Sequence, residues 1–207
     1  MSYLHQMAKK WRDPLRIFKL FQCAIAVICV SIPALLRLAD KNSPGFRNSI
    51  SQYVYISDSY IYGMLLCVAA MMFIFNGAVY FQNEERLGLK KAGKWYNVVL
   101  GLSLFGVILF PPHTFEVVHY LFGGLFFIGN ALVTGFFHNK KDRVISITLA
   151  VLTLLGFVFC YIVPWISLLA AEWISLAVIS LHFIMQSGFS FRLDPGSTQR
   201  MAPERIR

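Results

Sequence analysis

Ile166–Ser187 reads ISLLAAEWISLAVISLHFIMQS, twenty-two residues that carry a single formal charge, on Glu172. About 20 apolar residues are what a helix needs to cross roughly 30 Å of hydrocarbon. A buried helix of a soluble domain is shorter as a rule, so this stretch predicts a transmembrane span. The remaining chain repeats the pattern. Apolar stretches over about 17–39, 58–82, 95–110, 114–137 and 144–161 alternate with short polar connectors. The predicted fold is all-α, a polytopic bundle of six transmembrane helices over 17–188. Residues 1–16 and 189–207 form cytoplasmic ends.

Composition agrees. The chain is 57% hydrophobic and 14% charged, against about 25% charged residues in ordinary soluble domains. The net charge of +9 excludes a nucleic-acid binder through its placement. Lys9, Lys10, Arg12 and Arg16 precede the first span and Lys19 lies at its start; Arg86, Lys90, Lys91 and Lys94 follow the second; Lys140, Lys141 and Arg143 follow the fourth; Arg192, Arg200, Arg205 and Arg207 lie in the tail. Only Arg37, Lys41 and Arg47 fall on the other side. Under the positive-inside rule this predicts both ends in the cytoplasm. The expected location is the cell membrane, the inner membrane if the source is bacterial. Pro111-Pro112 and Pro164 mark tight outer turns, and Asp40–Ser57 reads as a polar loop. Cys23, Cys29, Cys67 and Cys160 all fall inside apolar stretches with no CxxC pair, so they read as small packing residues.

An ionisable group within a bilayer is costly unless it pairs, faces the bundle interior or sees water. Glu172 lies about 10 Å below the outer end of its span at 1.5 Å per residue, and so needs a companion. His119, Asp58 and, one turn above His119, Glu116 come from the outer ends of other spans; His113 lies in the Pro-Pro-His turn. Facing polar stripes add Tyr62 and Asn130. Asp58, His119 and Glu172 are expected to converge. His119 then reads as a general base, Glu172 or Asp58 as its orienting group and Ser51 as a nucleophile. Glu116, His113, Tyr62 and Asn130 read as ligand-binding. Several of these are zinc-ligand types, but without HExxH or HxxxH spacing no metal and no cofactor is predicted.

Four segments in order, NSISQYVYISDSYIYGMLL (48–66), LSLFGVILFP (102–111), VVHYLFGGLFF (117–127) and AEWISLAVISLHFIMQSG (171–188), resemble a group of bacterial six-span membrane proteins of unknown function. The chain is more distantly similar to Frag/DRAM/Sfk-type membrane proteins. The resemblance covers about 49–188 and departs from the usual pattern at Gln52-Tyr53 and Gln186-Ser187. It implies the fold and topology, and it places Ser51, His119 and Glu172 among the characteristic positions without naming a substrate. Three functions fit these residues: a pocket near the outer leaflet that binds a lipid or other amphipath, an intramembrane lipid hydrolase or acyltransferase, and a small transporter using Glu172 and His182. Membrane lipids are the expected partners.

Overall fold

The computed structural model describes residues 14–40, 45–55, 60–82, 95–137 and 142–187. Among these residues the protein is entirely helical, with seven helices and no strand. They are α1 (Pro14–Ala39), α2 (Ile50–Val54), α3 (Tyr60–Gln82), α4 (Tyr96–Leu109), α5 (Glu116–Phe136), α6 (Arg143–Tyr161) and α7 (Leu168–Ser187). Segments in α1, α5, α6 and α7 are long and apolar enough to cross a membrane. That is the make-up of a membrane protein. Gly63–Val79 in α3 and Tyr96–Leu109 are apolar but shorter.

Backbone polar groups have no water partners in hydrocarbon, so each apolar stretch satisfies its own by becoming a helix. The helix ends accordingly fall within three residues of the hydropathy reading. Asp40–Ser57 departs from it: part of that segment, Ile50–Val54, is a short helix rather than loop. Five residues are too few for a periodicity signal, and α2 owes its existence to what covers it. Ile50, Ser51, Tyr53 and Val54 are all buried.

The six long helices pack as a closed ring in which α1 touches α3, α3 touches α4, and the sequence continues through α5, α6 and α7 back to α1. α2 lies at one end against α1, α3 and α4. At the centre Phe73 is wholly buried, with its ring edge-on to Phe126 at 5.5 Å and Phe183 at 5.4 Å. Such pairs add about 1 kcal/mol beyond burial. Close approach is possible where side chains vanish. A Cβ on Gly101 would stand 2.6 Å from the Ala70 carbonyl oxygen, so α3 and α4 meet backbone to backbone, as small residues allow in membranes.

The bundle holds buried polar side chains among its apolar core and exposes large apolar ones. Gln22, Asn76, Asn97, Thr134, Ser175 and Ser180 are buried, while Val30, Leu38, Met64, Val117, Leu121, Phe136 and Val144 are exposed. Apolar residues all around the outside are what acyl chains would meet. The buried polar groups join helices: Ser180 donates to the Ala26 carbonyl at 2.9 Å, Asn97 to the Asn76 amide oxygen at 2.6 Å, and Gln22 to Gln186 at 3.2 Å.

Candidate functional site

One end of the ring is shaped by Asp40 and residues 45–55. Arg47 is tied to Asp40 through its Nε at 2.8 Å and a second guanidinium nitrogen at 3.3 Å, and its backbone N–H donates to the Tyr53 hydroxyl at 3.2 Å. These bonds deliver the chain to Ser49, which stands in the N-cap position of α2 with extended backbone angles. An N-cap serine commonly accepts from the first turn of its helix. Ser49 makes no such bond, and its hydroxyl lies 3.1 Å from the Ser51 hydroxyl. Gln52 accepts from the Asn48 N–H at 3.0 Å instead.

The cap comes from another helix. Glu172 of α7 accepts the Ile50 N–H at 2.6 Å, and the Leu169 N–H donates to the Asn48 carbonyl at 2.8 Å. The Glu172 oxygen satisfies a donor that would otherwise be orphaned. Tyr55 closes the other end of α2. Its hydroxyl donates to the carbonyls of Val107 and Ile108 at 2.9 and 3.0 Å, and burial pushes its pKa up, which keeps it a donor.

The second side chain of the site comes from α5. His119 is 4% exposed. Its Nδ1 lies 2.8 Å from the Phe110 carbonyl oxygen and its Nε2 lies 3.0 Å from the Ser51 hydroxyl. A carbonyl oxygen only accepts, so Nδ1 carries the proton. In the neutral ring Nε2 is then an acceptor, and Ser51 donates its hydroxyl proton to it. The oxygen of Ser51 is thereby free to accept from Ser49. A directed chain follows from Ser49 to Ser51 to His119 to the Phe110 carbonyl.

Ser49, Ser51, His119 and Glu172 line one cavity of about 400 Å³. The rest of its wall is largely apolar and aromatic, from Cys29, Leu66 and Phe73 in the core to Tyr120, Phe157 and Tyr161 of α5 and α6. Tyr120 and Tyr161 are half exposed or more, so the cavity reaches the surface of the bundle beside them. Volume and lining are those of a small-molecule site, concave, apolar and with a few convergent polar groups.

The expected residues distribute as follows. Ser51 and His119 are in contact, and Glu172 lines the same cavity. Glu172 meets the Ile50 N–H; no hydrogen bond or ion pair joins it to His119 among the described residues. His113 is exposed, with its ring edge-on to Tyr55 at 5.9 Å. Glu116 is an exposed residue in the first turn of α5. Asn130 is buried and donates to the Phe126 carbonyl of its own helix at 2.7 Å. Asp58 lies outside the described residues, and Tyr62 is described only as part of α3. His182 lies 2.6 Å from the Gln186 amide nitrogen, in the last turns of α7. Among the described residues no three His, Cys, Asp or Glu side chains gather to hold a metal ion.

One feature escaped sequence reasoning: the Phe110 carbonyl carries no side-chain signal, although the Pro111-Pro112 turn that exposes it is visible in the sequence. Ser49 reads from the sequence as one of three hydroxyls, with Ser51 and Ser57, ahead of the second span. No curated protein and no solved structure matches the chain. A family of unknown function, DUF7103, matches residues 31–187, most of the chain and all of the site, and the protein belongs to that family.

Proposed function

We propose that the protein is a six-span membrane enzyme that cleaves or transfers the acyl group of a lipid ester, with Ser51 as nucleophile and His119 as general base. The observation that carries this is the Ser51–His119 hydrogen bond, with the tautomer set by the Phe110 carbonyl. A weak nucleophile becomes useful when a base accepts its proton and a third group holds the base in place. Here the third group is a backbone carbonyl rather than a carboxylate.

In this mechanism the ester carbonyl enters beside Ser51 with its acyl chain along the apolar wall. The Ser51 oxygen forms a bond to the carbonyl carbon as its proton passes to His119 Nε2. The bond to the alcohol breaks, and His119 returns that proton to the departing oxygen. Water, or a second alcohol, then gives its proton to His119 and attacks the acyl-Ser51 ester. Free acid or transferred ester leaves, and the proton returns to Ser51. The Phe110 carbonyl accepts Nδ1–H throughout and steadies the transient imidazolium.

The six-span, N-in and C-in topology is part of the proposal. It is supported by consecutive helices as ring neighbours, by the two further apolar helices and by the placement of lysine and arginine. On that topology the cavity lies toward the outer leaflet. A serine-directed fluorophosphonate tests the chemistry. Labelling of the wild type that disappears in Ser51→Ala and His119→Ala is expected; labelling unchanged in both would refute it.

A second reading is favoured by the apolar wall of the cavity, that of a lipid-binding protein without chemistry. It is separated by the same variants. Lipid retained through mild purification, with no probe labelling and no ester turnover, supports binding alone.

A further inference from the structure

Glu172 is 7% exposed and lines the cavity. One of its oxygens accepts the Ile50 N–H; the other has no partner among the described residues, and no cation pairs with it there. A carboxylate withdrawn from water and left without a counter-charge is a costly element of a membrane bundle. The cap on Ile50 does not explain it, because any neutral acceptor serves there. Tyr120, Tyr161 and Glu172 border the same cavity. A carboxylate and tyrosine rings that open on one cavity are the groups that receive an ammonium ion.

We propose that Glu172 and the rings of Tyr120 and Tyr161 form a subsite for an ammonium group, carried by the headgroup of an amine-bearing lipid. This deepens the lipid reading of the cavity and rests on it, but it does not depend on any reaction at Ser51. The ligand supplies the missing counter-charge. Its acyl chain follows the apolar wall, and its headgroup lies beside α2, whose Ile50 and Ser51 are consecutive residues. Anionic lipids without an amine are disfavoured at this carboxylate by like charge.

The test is native mass spectrometry of the full chain released from micelles holding equal amounts of phosphatidylethanolamine and phosphatidylglycerol. The wild type is expected to retain phosphatidylethanolamine preferentially. Glu172→Gln keeps an acceptor for Ile50 and removes only the charge. It is expected to lower that preference by about tenfold or more, the size of one charge-assisted contact. Tyr161→Leu, at an exposed position that packing does not require, is expected to lower it by a smaller factor, roughly threefold to tenfold. Fluorophosphonate labelling of the same preparation scores the catalytic reading separately, so its failure leaves the retention result intact. Adding ethanolamine or tetramethylammonium separates the sources. Protection from unfolding by the free amine that matches phosphatidylethanolamine, and is lost in Glu172→Gln, assigns the subsite to a soluble amine and keeps its chemistry. Equal retention of both lipids by the wild type, or an unchanged preference in Glu172→Gln, overturns the proposal.

Discussion

The Ser51 hydroxyl lies 3.0 Å from His119 Nε2, although 68 positions separate the two residues in sequence. The pair is built by two rigid supports. α2 is pinned to α7 through Glu172 and Leu169, and the His119 ring is aimed by the Phe110 carbonyl. Neither residue depends on a long flexible loop for its position.

The hydrogen bond from Ser49 feeds into the same pair. Ser49→Ala removes a donor to the Ser51 oxygen without touching the Ser51–His119 contact. Turnover of a lipid ester is expected to change by about threefold to tenfold, in line with one neutral hydrogen bond. His119→Ala is expected to cost on the order of 100-fold or more, as for loss of a general base. Steady-state rates on one reconstituted substrate check both, and equal effects of the two substitutions would contradict the assigned order.

Replacing Glu172 by leucine differs from replacing it by glutamine. Leucine leaves the Ile50 N–H buried without an acceptor, a loss of about 1–3 kcal/mol, and frees the start of α2. Glutamine retains the bond. Thermal unfolding in detergent is expected to place Gln at or above the wild type, since the uncompensated charge is gone, and Leu well below both. Protease susceptibility near Asn48 is expected to rise only in the leucine variant.

Gly101→Ala places a methyl group 2.6 Å from the Ala70 carbonyl oxygen and equally close to the Ile74 side chain. A backbone oxygen in a helix cannot retreat cheaply, so α3 and α4 must separate. Overpacking of this kind costs about 1–3 kcal/mol. A lowered midpoint in the same unfolding assay is expected, while Gly45→Ala, where a Cβ meets nothing within 4 Å, is expected to leave it unchanged.

Tyr55→Phe removes the hydroxyl that donates to the Val107 and Ile108 carbonyls. These carbonyls belong to the last turn of α4, where no amide of the helix remains to satisfy them. A loss of about 1 kcal/mol is expected. Because Phe110 follows directly, a small fall in fluorophosphonate labelling is expected too. Labelling that stays at the wild-type level would separate this end of α4 from the site.

What the sequence determined by itself was the helices. Their positions follow from length and hydropathy, because a chain in hydrocarbon must satisfy its backbone within each segment, and that is a local condition. It also singled out His119 and Glu172, because an ionisable group at membrane depth is conspicuous wherever it faces, and Ser51 as a hydroxyl ahead of the second span. Only the tertiary structure decided whom each one meets. Depth along a helix can be counted in residues, but direction around the bundle depends on how the ring closes. The carboxylate of Glu172 therefore meets a backbone N–H of α2 rather than the imidazole, and the imidazole meets Ser51. α2 itself is stabilised by distant partners on α7 and α4, so nothing within its five residues could announce it.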